Sequence, residues 1–230
     1  MKMKFIGATT LPDAWFQCIY SILEIGRKYI IDRGSYEGQQ RLEFDYITIH
    51  IKHPGARPLL PEIPPALGIP NPVQEGYLEK YLPYLMTPAK KEGEDYTYGE
   101  RLCEFTYTSF KDTLAFSSID EVIRIYKKDG YGTNQACMEV AQPSDIMLKD
   151  PPCLRLIDTR IKDNKLHFIV YFRSWDLWSG FPANLGAIQL LKEYMAGEIG
   201  VEDGEIIASS KGLHLYDYAF ELAKLRTYRK

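Results

Sequence analysis

The sequence predicts an α+β fold, in which helical and strand-like segments follow one another in an irregular order. Helical segments carry apolar residues at intervals of three and four, whereas strand-like segments alternate apolar with polar residues. The two kinds of segment do not form repeated strand–helix–strand units, which argues against a doubly wound parallel sheet. At 230 residues the chain is long enough to bury a large hydrophobic core and needs no disulfide bonds or metal ions to fold. We expect one domain over residues 1–230.

The N-terminal third predicts a helix, a turn and a strand. Residues 13–30 place aromatic and aliphatic side chains near helical spacing, which indicates a helix that faces the core. Asp32-Arg33-Gly34 follows as a turn. Residues 42–51 alternate with a period of two and predict a single strand whose second half is apolar on one face.

Residues 54–72 hold seven of the fourteen prolines in the chain. Proline lacks the backbone N–H, so this segment can be neither a regular helix nor a central strand. Its five large aliphatic residues are too apolar for a solvated linker. We therefore expect an ordered loop that packs over the body of the protein.

The rest of the chain predicts five further elements and one capping motif. The spacing of Ser118 and Glu121 is that of a capping box, which opens a short helix. The other predicted elements are a short helix over residues 77–85 that ends at Pro83 or Pro88, a strand over 165–172, the clearest helix over 184–199, a strand over 204–209 and a helix over 217–225.

Composition and charge exclude several classes of function. Hydrophobic residues make up 45% of the chain and charged residues 26%, as in an ordinary globular domain. A formal net charge of −3 gives no electrostatic footprint for duplex nucleic acid or for an anionic membrane. No apolar run approaches the roughly 20 residues that cross a bilayer, and no signal sequence is evident, so we expect a cytoplasmic protein. The four cysteines include no C-x-x-C pair, and we expect no metal site.

The chemistry-bearing residues concentrate between residues 150 and 216. Cys153 follows two prolines and precedes a predicted strand, whereas Cys18 and Cys137 have the ordinary pattern of small buried residues. Cys103 lies near the Tyr98-Gly99 turn and could be near a site, but no other feature of the sequence favours it. Arg173 and Ser174 together could bind a phosphate, although Arg173 could equally form a surface ion pair. The amide of Asn184 could read the edge of a ring or could cap the helix that begins there.

Four motifs taken together resemble the thymidylate synthase family in order and in spacing. They are Pro152-Cys153, Arg173-Ser174-x-Asp176, Gly180-x-Pro182-x-Asn184 and His214-x-Tyr216. Asp32-Arg33-Gly34 and Tyr98-Gly99 are similar to two shorter motifs of that family. Several motifs with matching gaps are far less probable by chance than any one motif. The resemblance implies a single catalytic domain with a mixed or antiparallel sheet and helices packed on one side.

The resemblance also implies an enzyme that makes dTMP from dUMP, with 5,10-methylenetetrahydrofolate or a related methylene-pterin as co-substrate and no metal. The thiolate of Cys153 would add to C6 of the pyrimidine, and C5 would then accept the one-carbon unit. Asn184 would pair with O4 and N3 of the ring, and Asp176 would lie near the pterin and assist proton transfer.

The family pattern implies a nucleotide site as well. Side chains that would bind the 5′-phosphate or the 3′-hydroxyl are Arg33, Arg173 and Ser174 for the phosphate and His214 and Tyr216 for the sugar. The two arginines would also lower the pKa of the Cys153 thiol.

Several positions depart from the family pattern. Leu154 stands where a histidine is usual, and Phe172 where a glutamine is usual. The arginines that a partner subunit contributes to the phosphate site would fall at Thr133 and Asn134, so we expect a monomer or a non-standard dimer. The catalytic glutamate has no secure position, and Glu75, Glu79 and Glu62 are the candidates.

Because the sequence stops soon after the His-x-Tyr motif, we expect the family's closing segment to be missing. These departures resemble the divergent archaeal-type members of the family. Two other functions stay open. One is a deoxynucleotide hydroxymethyltransferase of the same superfamily, in which water rather than hydride completes the reaction. The other is a nucleotide-binding module without catalysis, against which the presence of Cys153 argues.

Overall fold

A six-stranded mixed sheet forms the centre of the fold in the computed structural model, which describes residues 1–33, 36–108 and 111–229. The strands of this sheet are β1 (Met3–Ala8), β4 (Tyr46–Ile51), β7 (Cys137–Glu139), β8 (Leu154–Lys162), β9 (Lys165–Phe172) and β11 (Glu202–Ser210). Their spatial order is β1-β4-β11-β9-β8-β7, with β1–β4 and β11–β9 parallel and the other pairs antiparallel. The mixed sheet that the sequence predicted is therefore confirmed.

Two smaller sheets and six helices complete the described part of the chain. The second sheet has the order β10 (Trp175–Asp176), β12 (Leu213–Tyr216), β3 (Gln40–Glu43) and β2 (Arg27–Ile30), and the third is the hairpin of β5 (Phe105–Thr108) and β6 (Thr113–Phe116). The helices are α1 (Leu11–Ile25), α2 (Tyr77–Met86), α3 (Tyr98–Cys103), α4 (Ser118–Lys128), α5 (Gly180–Ile199) and α6 (Phe220–Thr227). No helix among the described residues is long and apolar enough to cross a membrane.

The helices cover one face of the central sheet, because only that face is uniformly apolar. Side chains that alternate along β9, such as Phe168 and Val170, are buried against α5, which also contacts β11. Helix α1 contacts β1 and β4 on the same side. The opposite face carries half-buried or exposed side chains such as Thr48, Ile169 and Tyr171. This arrangement agrees with the predicted α+β class and with helices on one side.

Two N-terminal predictions are wrong in their boundaries. The helix predicted over residues 13–30 ends at Ile25, and its last residues form β2 instead. The backbone turns at Gly26, where a Cβ atom would lie 2.4 Å from the carbonyl oxygen of Ile22. The strand predicted over residues 42–51 is two strands in different sheets, β3 and β4. Asp45 stabilises the break between the two strands. Its carboxylate accepts a hydrogen bond from the backbone N–H of Lys2 at 2.8 Å and forms an ion pair with Arg27 at 3.0 Å.

Helix caps also differ from the prediction. Ser117 caps α4 and accepts from the N–H of Asp120, whereas the hydroxyl of Ser118 donates to the carbonyl of Leu102, so the capping box predicted at Ser118 is wrong. Helix α2 continues through Pro83 to Met86. The helix predicted over 217–225 begins with a 3-10 turn, Asp217–Ala219, and continues as α6. Several elements were not predicted, among them β1, α3, β5, β6, β7 and β10.

The proline-rich segment 54–72 contains one 3-10 turn, Pro65–Leu67, and is otherwise irregular. Leu59 and Ile63 are buried in the main hydrophobic cluster, and the other large aliphatic residues of the segment pack against that cluster. The segment therefore contributes to the core and forms one wall above α5. In the turn predicted at Asp32-Arg33-Gly34, Arg33 lies in a bend and Gly34 lies outside the described residues.

Candidate active site

Cys153 lies immediately before β8, where the chain leaves the two prolines. Its carbonyl accepts from the backbone N–H of Arg173 at 2.9 Å, which joins the start of β8 to the residue that follows β9. The thiol is partly buried, and burial raises its pKa above the ordinary value of 9.0. The positive charges of Arg173 and Arg155 oppose that effect, and the carboxylate of Asp150 adds to it. The predicted lowering by arginines is thus present for Arg173, with Arg155 rather than Arg33 as the second contributor, and burial outweighs it.

Arg173 is held in place by the turn that contains Cys153. Its Nε donates to the carbonyls of Pro151 at 3.2 Å and Pro152 at 3.1 Å, and its guanidinium also forms an ion pair with Asp150 at 3.0 Å. A second guanidinium N–H, on Nη2, donates to the Pro151 carbonyl. These contacts fix the guanidinium beside the thiol. Surface pairing with Asp150, one of the two interpretations of the sequence, is thus present as well.

A cavity of about 290 Å³ next to this turn is lined by three basic side chains and by the carboxylate of Asp150. Arg33, Lys149 and Arg173 line it, and Arg33 also donates to the carbonyl of Leu148 at 3.5 Å. The two arginines that the sequence predicted for a phosphate are therefore on one cavity, although 140 positions separate them. Ser174 is half-buried beyond Arg173 and is not among the residues that line this cavity.

Asp176 caps helix α5 from outside the helix. Its carboxylate accepts from the backbone N–H groups of Trp178, Ser179 and Gly180, at 3.1, 3.0 and 2.9 Å, and from the Ser179 hydroxyl at 2.9 Å. The N–H of Gly180 is a donor that the helix leaves free in its first turn, and the other two belong to the residues that lead into the helix. The cap explains why α5 begins at Gly180, four residues before the predicted start, and it frees Asn184 from a capping role.

Both the oxygen and the nitrogen of the Asn184 side-chain amide are therefore available for contacts in the site. Its Oδ1 accepts from the indole Nε1 of Trp175 at 2.9 Å, and its Nδ2 donates to the hydroxyl of Tyr81 at 2.7 Å. A cavity of about 360 Å³ lies beside the amide, lined also by Tyr77, Asp176 and Ser179. The amide and the carboxylate that the sequence predicted for the site therefore share one cavity.

His214 and Tyr216 lie on the same face of β12, as their i, i+2 spacing predicted. Their rings contact edge to face with centroids 4.5 Å apart. The parallel pairing of β10 with β12 sets His214 opposite Asp176. The ring of His214 is buried, and burial lowers its pKa to about 4, so the imidazole is neutral at pH 7.

The tautomer of His214 follows from its contacts. Its Nδ1 must carry the proton, because it donates to the carbonyl of Gly212 at 2.8 Å. Its Nε2 is then a buried acceptor without a hydrogen-bond partner among the residues that the structure describes. Burying such a group without a partner costs free energy, so Nε2 suits a ligand hydroxyl.

Comparison with known proteins agrees with this arrangement. The profile of a family described as thymidylate synthase matches residues 81–230, more than half of the chain. The chain belongs to the thymidylate synthase family. The matched region contains every residue of the four motifs that suggested the resemblance.

Archaeal members of the thymidylate synthase family align with nearly the whole length of this chain. A protein of Methanosarcina acetivorans, provisionally named a thymidylate synthase, is 28% identical over 96% of this chain and 93% of its own. A similarly named protein of Methanothermobacter thermautotrophicus is 27% identical over 95% of this chain and 96% of its own. A deoxyuridylate hydroxymethyltransferase of Bacillus phage SP01 is 32% identical over 55% of this chain and 35% of its own. The chain is thus a divergent, archaeal-type member of the thymidylate synthase family.

A cluster of tyrosines beside Cys153 was missed in the sequence. Tyr77, Tyr81 and Tyr84 stack in series along α2, with ring centroids 5.9 and 5.6 Å apart, and Tyr98 contacts Tyr84 at 5.4 Å. The hydroxyl of Tyr98 accepts from the backbone N–H of the residue after Cys153, at 3.3 Å. The i, i+4, i+7 spacing along α2 was the available signal, because it places the three tyrosines on one helix face.

The positions that depart from the thymidylate synthase pattern have local explanations. Leu154 is fully buried, and Phe172 stacks on Trp175 with centroids 4.0 Å apart and planes 4° apart. Thr133 accepts from the backbone N–H of Gln135, and Asn134 is exposed. The apolar pair at Leu154 and Phe172 therefore belongs to the core, where a polar side chain would need a partner.

The three candidate glutamates lie on another cavity. Glu62, Glu75 and Glu79 are exposed and line a space of about 690 Å³ between the proline-rich segment and α2. Cys153 does not line this cavity, but Val73 lines both it and the cavity beside Asn184. The catalytic role of a glutamate from this group stays a prediction. No group of three or more metal-ligating side chains occurs within residues 1–33, 36–108 and 111–229.

Proposed function

We propose that this protein makes dTMP from dUMP by adding the Cys153 thiolate to C6 of the pyrimidine and transferring one carbon to C5 from a methylene-pterin. One observation carries the proposal: Cys153 is close enough to act electrostatically on one tyrosine beside the group suited to the base and on another beside the group suited to the sugar. Besides burial and other charges, a thiolate at Cys153 contributes to raising the pKa of Tyr81 and of Tyr216. Tyr81 binds the Asn184 amide, and Tyr216 contacts His214.

The nucleotide would lie across these groups with its phosphate toward Arg33 and Arg173. Two guanidinium groups on one cavity match a dianionic phosphate, because they offer charge and several N–H donors. The buried Nε2 of His214 would accept the 3′-hydroxyl proton of the deoxyribose. The Asn184 amide would pair with N3–H and O4 of uracil, which offer a donor and an acceptor in matching order.

Thiol addition makes C5 reactive, which a uracil ring is not by itself. The bond from Cys153 to C6 turns the C4 carbonyl and C5 into an enolate, and C5 then bonds to the methylene carbon of the co-substrate. Loss of the C5 proton and departure of the pterin nitrogen leave an exocyclic methylene. Hydride from the tetrahydropterin reduces that methylene to methyl, the thiolate leaves C6, and dTMP and a dihydropterin are released.

The methylene-pterin co-substrate would occupy the cavity beside Asn184. Its lining combines an aromatic side chain, Tyr77, with the carboxylate of Asp176, as a flat heterocycle with N–H donors requires. Asp176 already accepts from three backbone N–H groups, so the orientation of its carboxylate is fixed. Glu75 and Glu79 are the proposed sources of the catalytic carboxylate.

A hydroxymethyltransferase reaction is the second candidate, since the phage relative carries that name. In that reaction water, rather than hydride, attacks the exocyclic methylene. We also propose that residues 1–230 act as one catalytic domain. Because Thr133 and Asn134 cannot provide charge to a partner's phosphate site, we propose a monomer or a non-standard dimer.

Release of tritium from dUMP labelled at C5 tests the proposal. We expect release with methylenetetrahydrofolate or a related methylene-pterin, none with Cys153→Ala, and nearly unchanged release with Cys137→Ala, which removes a thiol outside the site. Chromatography of the product distinguishes methyl from hydroxymethyl transfer. If the wild-type protein binds dUMP and releases no tritium with any donor, it is a nucleotide-binding module and the proposal is wrong.

A further inference from the structure

We propose that Trp175 is the positioning residue that makes the site select uracil over cytosine, because it fixes the orientation of the Asn184 side-chain amide. This inference rests on the proposed function. The indole Nε1 of Trp175 donates to Oδ1 of Asn184 at 2.9 Å, and Nδ2 of the same amide donates to Tyr81 at 2.7 Å. Trp175 is only 2% exposed, so water cannot replace its hydrogen bond.

Only one of the two partners determines the orientation of the amide. An indole N–H is a donor and never an acceptor, so a flipped amide would set its NH2 group against that N–H and leave both unpaired. The hydroxyl of Tyr81 can donate or accept, so it would bind either end of the amide. Trp175 therefore allows one orientation, and Tyr81 strengthens whichever orientation is present.

The orientation of the amide decides which pyrimidine fits. The bound amide keeps one N–H of Nδ2 and one lone pair of Oδ1 free for a ligand. Uracil presents a donor at N3 and an acceptor at O4, whereas cytosine presents an acceptor at N3 and a donor at N4. A ring that meets Oδ1 with its N3 and Nδ2 with its C4 substituent pairs as uracil with the amide in the observed orientation, and only as cytosine with the amide flipped.

The surroundings of Trp175 keep its N–H in place. The indole lies parallel to Phe172 with centroids 4.0 Å apart, and it contacts Phe181 at 4.5 Å. Its backbone N–H donates to the carbonyl of Gly212 at 2.9 Å, beside the pairing of β10 with β12. Phe172, one of the departures from the family pattern, thus provides the ring that holds Trp175.

Trp175→Phe tests this inference, because phenylalanine keeps the aromatic stacking and removes the N–H. We expect the ratio of kcat/KM for dUMP to that for dCMP, measured by tritium release from C5, to fall roughly 10- to 100-fold. Tyr81→Phe should weaken dUMP turnover and keep the ratio. Trp15→Phe is the matched control, since its buried indole donates at 3.0 Å to the carbonyls of Leu177 and Trp178 instead.

Binding measured by calorimetry separates this inference from the proposed function. If the wild-type protein turns over neither nucleotide, the proposed function fails, and the dUMP-to-dCMP ratio of dissociation constants still tests Trp175. A ratio that Trp175→Phe leaves unchanged overturns the inference, even if dUMP turnover is intact. Should Trp175→Phe not fold by circular dichroism, Trp175→His replaces it, because imidazole can donate or accept and should give a smaller fall in the ratio.

Discussion

Arg101 and Asp145 form a buried ion pair that fastens helix α3 to the segment leading to Cys153. Two guanidinium nitrogens donate to the two carboxylate oxygens at 2.9 and 2.7 Å, and Arg101 also donates to the carbonyl of Val140 at 2.8 Å. Their side chains are 8% and 1% exposed. Arg155 adds a third contact to Asp145 at 3.3 Å. The tyrosine of α3 and the turn before β8 are thereby held at a fixed distance.

Asp145→Asn should lower the free energy of unfolding by about 3–5 kcal/mol, because it leaves the Arg101 guanidinium buried without a counter-charge. Glu121→Gln is the matched control: it breaks a comparable two-bond pair with Arg124 that is exposed, and stability should hardly change. Urea unfolding followed by circular dichroism measures both. Equal losses in the two variants would contradict a special role for the buried pair.

Acid should unfold the protein partly through the same carboxylate. Burial acts to raise the pKa of Asp145, but hydrogen bonds from Arg101 and from the backbone of Gln142, together with Arg155, outweigh it and lower the pKa below 3.8. A carboxylate with a lowered pKa in the folded state stabilises the fold above its ordinary pKa, and this is lost as the pH falls. We expect stability to drop below pH 3.8, and less steeply in Asp145→Asn, in urea titrations across pH 2–6.

The thiol of Cys153 should respond in opposite directions to its two charged neighbours. Removing positive charge in Arg173→Gln should raise its pKa further, and removing negative charge in Asp150→Asn should lower it. The pH dependence of iodoacetamide labelling at Cys153, followed by mass spectrometry, gives both shifts. Arg173→Gln should also lose roughly 10- to 100-fold in kcat/KM for dUMP, as expected for one charge-assisted hydrogen bond. Identical labelling profiles in the two variants would refute the assignment.

The sequence predicted correctly those elements that depend only on residues within one segment. The strand over 165–172 matches β9 because alternation along one segment is sufficient to bury one face of a sheet. The candidate site residues were predicted from their order and spacing, and the structure places Arg33 on one cavity with Arg173 and Asp176 on one cavity with Asn184.

Contacts between distant segments explain what the sequence did not predict. The start of α5 depends on the carboxylate of Asp176, which precedes the helix and belongs to a strand. The break before β4 depends on contacts of Asp45 with the N-terminus and β2. The spacing of the tyrosines in α2 indicated a shared helix face, but not the hydrogen bond that joins Tyr81 to a residue 103 positions away.

His214 should make the stability depend on pH between about 4 and 6.5. Burial lowers its pKa to about 4, so the unfolded state binds a proton that the folded state does not. The free energy of unfolding should therefore fall by about 3 kcal/mol as the pH drops through this range. His214→Gln stays neutral and should lose this dependence, whereas His50→Gln, which alters a half-buried histidine outside the site, should keep it. Equal slopes in all three proteins would contradict the prediction.

Gly99 allows α3 to pack on the end of α2. A Cβ atom there would lie 2.0 Å from the carbonyl oxygen of Thr87 and 2.9 Å from that of Tyr84. Gly99→Ala should therefore lower the free energy of unfolding by roughly 1–3 kcal/mol. It should also reduce dUMP turnover, because α2 carries Tyr81. Gly197→Ala is the matched control, since nothing lies within 4 Å of a Cβ atom there, and a helix interior should gain about 0.5–1 kcal/mol from alanine. If both alanine variants are destabilised, the cost is general to substitution in helices. If neither variant is destabilised, α2 and α3 can separate freely.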